Sequence, residues 1–169
     1  FKRIFEFIFT GILILFSFPV LIFISLLIKV DDGNSIFYKQ TRTGEKLRNI
    51  NILKFRSMKI NSEKDGPRWS NLNDTRITKI GSFIRKSRLD ELPQLFLILK
   101  GDMNLIGPRP ERPEFDKIFI KKYSFYSNRY SIKPGLSGWA QVNYPYGASE
   151  EDTINKLSYD LYYIKNFSI

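Results

Sequence analysis

The sequence predicts an α+β protein. An N-terminal re-entrant membrane helix-break-helix over residues 1–30 precedes a mainly helical domain over 31–169, with a small β-hairpin and amphipathic interfacial helices. Three observations predict this. The stretch from Phe7 to Ile28, "FIFTGILILFSFPVLIFISLLI", carries no charge and has Pro19 near its middle. Two strand-like runs flank Thr43-Gly44, and beyond Arg76 apolar residues recur at steps of three and four.

The apolar stretch comes first. At about 1.5 Å per residue it could cross a hydrocarbon core of about 30 Å. Pro19 argues for a bend instead, because it removes a backbone donor and clashes with the preceding turn. Charge agrees, with Lys2 and Arg3 before the stretch and Lys29, Lys39, Arg42, Lys46 and Arg48 after it. A helix that bends and returns keeps both basic flanks cytoplasmic, whereas a crossing helix exports one. No small-residue cleavage site precedes Lys29, so the segment reads as a retained anchor and not a signal peptide.

After a turn at Asp32-Gly33-Asn34, strands are expected around Ile36 to Gln40 and Ile50 to Phe55, joined as a hairpin. Residues 61–75, "NSEKDGPRWSNLNDT", read as a mobile surface loop. Ile77, Ile80 and Ile84, then Leu89, Leu92, Leu95, Phe96 and Leu99, predict two amphipathic helices meeting near Ser87 to Pro93. Gly101 ends the second. "GPRPERP" cannot be regular helix or central strand, and its rigidity should aim Arg109 and Arg112. Residues 113–130 predict one basic, aromatic-rich helix, followed by a turn at Lys133-Pro134-Gly135. Ser149 and the acids after it predict a last helix.

Composition narrows the chemistry. With 27 Lys and Arg against 17 Asp and Glu, the net charge of +10 favours a polyanion, an anionic membrane surface or phosphorylated ligands. Having neither Cys nor His, the chain has no disulfides, thiolate nucleophiles, Ser-His pairs or His/Cys zinc sites. Carboxylates, Lys, Arg, Tyr, Ser or a hard metal ion remain. The chain begins with Phe1 and is expected to be a piece of a longer protein.

The stretch "RKSRLDE" places Arg85, Lys86 and Arg88 beside Asp90 and Glu91. The plain reading is a pair of acids in the first turn of a helix capped by Ser87. The sharper reading starts from the crowding cations, which would keep both acids ionised, and from Pro93, which would fix their direction. An ionised Asp among phosphate-binding arginines is a nucleophile for phosphorus, and arginine forks hold phosphate oxygens as charge builds on them. Arg109, between two prolines, and Arg56 extend the set. No phosphate-binding loop of the G-x-x-x-x-G-K-[ST] kind and no G-x-G-x-x-G after a strand occurs.

The stretches "KFRSM", "RLDELPQLFLILKGDMNLIGPRPERPEF" and "KPGLSGWAQVNYPYGASEEDTINKLSYDLYYIKN" together resemble the bacterial sugar transferase family, the monotopic phosphoglycosyl transferases, over nearly the whole chain. The third looks most like the catalytic domain of the larger polyprenyl glycosylphosphotransferases, which follows further membrane and regulatory segments. The resemblance implies transfer of a sugar 1-phosphate from a UDP-sugar to polyprenyl (undecaprenyl) phosphate, with release of UMP. That would be the first membrane step of exopolysaccharide, capsule or O-antigen synthesis, at the cytoplasmic face of the bacterial inner membrane. It implies Asp90 as the nucleophile of a covalent aspartyl phosphosugar intermediate, Glu91 as its assistant, and Mg2+ at Asp90 and Glu91. It also implies Arg85 and Arg109 as phosphate holders, with Lys54 and Arg56 of the "KFR" element beside them. The family's re-entrant helix breaks at a Ser-Pro pair; here the pair is Phe18-Pro19, with Ser17 one position early.

Two other functional classes fit parts of the sequence. A non-catalytic basic membrane-surface module, binding anionic lipids or partner proteins, explains the charge and the anchor but not the joint occurrence of "LDELPQ" and "GPRPERP". Nucleic acid is not an expected partner, since no motif for it occurs. The expected partners are a UDP-sugar, polyprenyl phosphate and inner-membrane lipids.

Overall fold

The computed structural model describes residues 1–63, 66, 74–145, 147 and 149–166. Helix α1 (Lys2–Asp32) is followed by strands β1 (Phe37–Thr43) and β2 (Asn49–Phe55) and helices α2 (Lys79–Lys86) and α3 (Leu95–Lys100). Strand β3 (Asn104–Ile106), helix α4 (Pro113–Lys122), strand β4 (Gly135–Ser137) and helices α5 (Trp139–Asn143) and α6 (Glu150–Lys165) complete it. Short 3-10 turns cover Leu89–Gln94 and Tyr126–Ser131. The fold is mixed helix and strand behind one long apolar helix.

Where the sequence predicted a break at Pro19, Lys2–Asp32 is one helical element with the proline inside it. A proline in a helix interior costs about 3 kcal/mol, and packing on both sides of it holds the halves together. Leu13 and Ile14 join the cluster of Ile52, Leu95, Leu97, Ile98 and Met103. Beyond the proline, Leu21, Ile24 and Ile28 pack with Phe55 and Ile84. Ser17 donates to the Ile14 carbonyl at 3.3 Å, whereas the carbonyl that Pro19 leaves without its helical donor belongs to Leu15.

Polar contacts dock the first turns of α1. Arg3 donates to the carbonyls of Ile98 (2.5 Å) and Leu99 (2.7 Å), in the last turn of α3, where carbonyls lack helical donors. Glu6, buried, accepts from the Leu105 amide of β3 at 3.2 Å. The opposite face, with Phe5, Ile8, Phe16 and Phe23, is exposed. This helix is long and apolar enough to cross a membrane.

The predicted hairpin forms, with β1 and β2 antiparallel, Phe37 opposite Phe55 and Thr43 opposite Asn49. Most of the predicted loop over 61–75 lies outside the described residues. Not predicted was the parallel pair of β3 with β4, Asn104 opposite Gly135 and Ile106 opposite Ser137. The backbones meet too closely for any side chain, since a Cβ on Gly135 would stand 2.1 Å from the Gly107 nitrogen.

The single helix expected over 113–130 is instead α4 and the 3-10 turn Tyr126–Ser131. The break brings Tyr126 and Tyr130 inward beside Phe119 and Leu157 of α6. Helix α6 begins as predicted: Ser149 accepts from the Asp152 amide, and Asp152 accepts from the Ser149 amide in return.

Candidate active site

Asp90 and Glu91 stand where α2 ends. Thr78 caps α2 by accepting from the Gly81 amide at 2.9 Å, and Gly81 lies so close to Ser57 that a Cβ would meet the Ser57 carbonyl oxygen at 1.9 Å. That contact ties α2 to the chain just after β2, next to Lys54 at the end of the strand and Arg56 beyond it. At the other end, Ser87 does not cap the acids. Its hydroxyl turns back to the carbonyls of Phe83 (2.9 Å) and Ile84 (3.3 Å), closing α2. Arg88 then adopts left-handed backbone angles (φ 59°, ψ 12°), unusual for a residue with a side chain, and reverses the chain into Leu89–Gln94. Both acids do fall in the first turn of this 3-10 helix, as the plain reading has it, but without the Ser87 cap, and both are buried.

The two acids have different surroundings. Glu91 Oε1 accepts from Lys54 Nζ at 2.7 Å and from Arg109 Nη2 at 2.5 Å, while Oε2 accepts from Arg109 Nη1 at 3.3 Å. Burial works against its charge, but Arg109 and Lys54 hold the carboxyl well below the usual carboxylate range. Asp90 accepts no hydrogen bond among the described residues. Burial raises its pKa and Glu91 adds to the rise, against the pull of Lys54, Arg85 and Arg109. The cations that act on Glu91 are thus Arg109 and Lys54, and not the adjacent Arg85, Lys86 and Arg88, whereas Arg85 does pull on Asp90. Lys54 is itself lowered to about 8, by burial and then by Arg109, with Glu91 pulling back.

Arg109 is aimed from behind. Gly107 donates to the Ser137 carbonyl and Gly135 to the Pro108 carbonyl, each at 2.9 Å, so the β3–β4 pair fixes the chain one residue before it. Arg129 donates to the Arg109 carbonyl at 2.9 Å through Nη2, which also donates to Asp160 Oδ2 at 2.8 Å. Its Nη1 donates to the Tyr126 hydroxyl at 2.7 Å, and the Tyr126 and Tyr130 rings lie 5.2 and 5.6 Å from the guanidinium carbon. Tyr126 and Tyr130 both donate to Asp116 Oδ1. A buried polar chain thus runs from α6 through Arg129 and Arg109 to Glu91.

A cavity of about 720 Å³ lies in front of this arrangement. Its wall includes Lys54, Arg56, Arg85, Arg88, Asp90, Arg109 and Arg112, so the structure brings all the predicted side chains but one to a single space. The exception is Glu91, which sits behind the wall with its oxygens turned to Lys54 and Arg109. Arg112, expected to be aimed at phosphate, is held by Glu63 at 2.9 and 3.3 Å. Arg42, which sequence reasoning missed as a site residue, pairs with Glu111 at 2.9 Å in the same wall. Arg129 and Asp160 were also missed, as were Tyr144 and Lys156 in the same lining. Asp160 had a signal: it lies three residues after Leu157, a charge at core spacing on α6.

The donor set bears on the expected Mg2+. The described residues contain no group of three or more metal-ligating side chains. Glu91 has both oxygens committed to cations, which leaves Asp90 as the open carboxylate of the pair. One carboxylate together with substrate phosphates is a common way of holding Mg2+.

The bacterial sugar transferase family matches the chain over residues 1–169. A UDP-N-acetylgalactosamine-undecaprenyl-phosphate N-acetylgalactosaminephosphotransferase of Aeromonas hydrophila is 47% identical over 92% of this chain and 36% of its own length. A UDP-glucose:undecaprenyl-phosphate glucose-1-phosphate transferase of Escherichia coli K12 is 36% identical over 99% of this chain and 37% of its own length. An exopolysaccharide production protein PSS of Rhizobium leguminosarum is 36% identical over 89% of this chain and 78% of its own length. The chain thus spans little more than a third of the first two relatives, and with its whole length matched it belongs to the bacterial sugar transferase family.

Proposed function

We propose that this chain moves a sugar 1-phosphate from a UDP-sugar to polyprenyl phosphate through a covalent intermediate on Asp90, opening exopolysaccharide or O-antigen assembly. One observation carries the reading: Asp90 is a buried carboxylate with no hydrogen bond among the described residues, in the wall of an arginine-lined cavity, while its neighbour Glu91 is fully engaged. An acid without donors keeps its lone pairs for a phosphorus atom.

In the first step an Asp90 oxygen attacks the phosphorus that carries the sugar. The bond from that phosphorus to the oxygen bridging it to the uridine-bearing phosphate breaks, and UMP leaves. In the second step an oxygen of polyprenyl phosphate attacks the same phosphorus, the bond to Asp90 breaks, and the carboxylate is restored. Arg85, Arg88 and Arg109 compensate charge on the transferring oxygens, with Lys54 and Arg56 beside them. Glu91 holds Lys54 and Arg109 in place, rather than moving a proton. Mg2+, held by Asp90 and the diphosphate, would supply further charge compensation. Chelation should abolish UMP release and added Mg2+ should restore it; activity surviving exhaustive chelation would remove the metal from this scheme.

The membrane seating follows from α1. It touches the body from Arg3 to Ile28, about 37 Å at 1.5 Å per residue, which exceeds a hydrocarbon core of about 30 Å. A crossing helix would drag the charged body through the bilayer, which supports a seating of α1 in one face with both ends cytoplasmic.

The test is Asp90→Asn in lipid nanodiscs with Mg2+, undecaprenyl phosphate and a panel of UDP-sugars. UMP release should fall by about four orders of magnitude or more, as for other lost nucleophiles. The parent, given UDP-sugar without acceptor, should gain the mass of one sugar phosphate on the peptide holding Asp90. Parent-like turnover by the variant would end the proposal.

A further inference from the structure

We infer that a stacked aromatic pair, Trp139 with Tyr162, is a second contact with the lipid surface, seated at headgroup depth beside the first turn of α1. The inference rests on the membrane seating of α1 proposed above. Trp139 opens α5 and Tyr162 lies near the end of α6; their rings stack with centroids 6.2 Å apart and planes 23° apart. A pair in a protein interior would be covered, yet Trp139 is 44% exposed and Tyr162 57%, and Val142, one turn beyond Trp139, is 74% exposed. Scattered exposed apolar residues are ordinary on any protein. These are joined to one another and to the anchor.

The join is polar and specific. Tyr163, next to Tyr162, donates to the Ile106 carbonyl at 3.2 Å, and Lys2 donates to the Tyr163 hydroxyl at 3.3 Å. The patch therefore lies beside the start of α1, whose apolar face leaves Ile4 and Phe5 exposed. A cation stands at the junction itself, since Lys2 Nζ is the donor to the Tyr163 hydroxyl, and Lys133 lies beyond it near Gly101.

This chemistry favours lipid over a second copy of the chain. Tryptophan and tyrosine settle where an apolar body meets a polar headgroup, and lysine and arginine beside them meet anionic lipid phosphate. A second copy on the same patch would set these cations against their own kind, in a chain of net charge +10. Function follows from what α5 and α6 carry on their other faces. Ala140 and Gln141 of α5, and Lys156 and Asp160 of α6, line the cavity. Seating Trp139 and Tyr162 in the headgroups thus holds that cavity wall one helix diameter, about 10 Å, from the lipid surface.

Trp69 and Trp139 are the two tryptophans of the chain, so Trp69→Phe leaves Trp139 as the sole reporter. The variant is mixed with phosphatidylcholine/phosphatidylglycerol vesicles whose acyl chains are brominated near the headgroup. Expected are flotation with the vesicles, a blue shift of Trp139 emission, quenching by the brominated lipid and protection from aqueous acrylamide. The difference between the parent and Trp139→Phe should give the same quenching. Flotation with Trp139 unquenched by lipid and open to acrylamide overturns this inference and leaves the seating of α1 intact. A blue shift that follows protein density, with no effect of bromine, overturns it in favour of self-association. Failure to float overturns both readings.

Discussion

At the scale of single residues the site divides its labour between adjacent acids. Glu91 is clamped and ionised, and Asp90 is buried and open. That division has a pH signature. Lys54 loses its proton near pH 8, and the cavity then loses a positive charge where phosphates are to bind. The kcat/KM for a UDP-sugar should therefore fall on the alkaline side with a midpoint near 8. On the acid side it should fall as Asp90 takes up its proton, at a pH above that of an ordinary aspartate because burial raises that group. Lys54→Arg keeps its charge throughout, so its profile should lose the alkaline limb and keep the acid one. A variant retaining an alkaline limb near 8 would show that another group titrates there.

At the scale of elements, Arg109 owes its position to a pairing of two three-residue strands. The Gly107–Gly135 crossing admits no side chain. Gly135→Ala should cost about 1–3 kcal/mol in stability by overpacking, and should lower kcat more than it raises KM, because it moves the chain that aims Arg109. Circular dichroism melts and steady-state kinetics read both; an unchanged kcat in a destabilised protein would separate the pairing from the chemistry. Elements marked by local signals were legible in the sequence. The β1–β2 hairpin follows from strand-like runs around Thr43-Gly44, and α6 from the acids after Ser149. The β3–β4 pair was not, since three residues show no alternation and their partner lies about thirty positions away. Asp90 and Arg109 were legible because proline and crowded charge mark them, whereas Arg129 in "SNRYS" differs from a surface arginine only once Asp160 and two tyrosine rings enclose it.

At the scale of the molecule, the anchor is part of the catalytic body and not a tether to it. Arg3 and Glu6 fasten one end to α3 and β3, and Leu21, Ile24 and Ile28 fasten the other beside Ile84 of α2, just ahead of the turn that carries Asp90. Under the proposed seating, height above the membrane would be transmitted to Asp90 through packed side chains, and both ends of α1 would lie on the body's side. The chain has no cysteine, so introduced thiols report without background. Phe1→Cys and Val30→Cys mark the two ends at positions 93% and 85% exposed. In spheroplasts a membrane-impermeant maleimide should label neither, and opening the membrane should make both reactive together. If one end were labelled from outside while the other required opening, α1 would cross the bilayer. The docking of Arg3 and of Ile28 on a single body could not then both hold in the membrane.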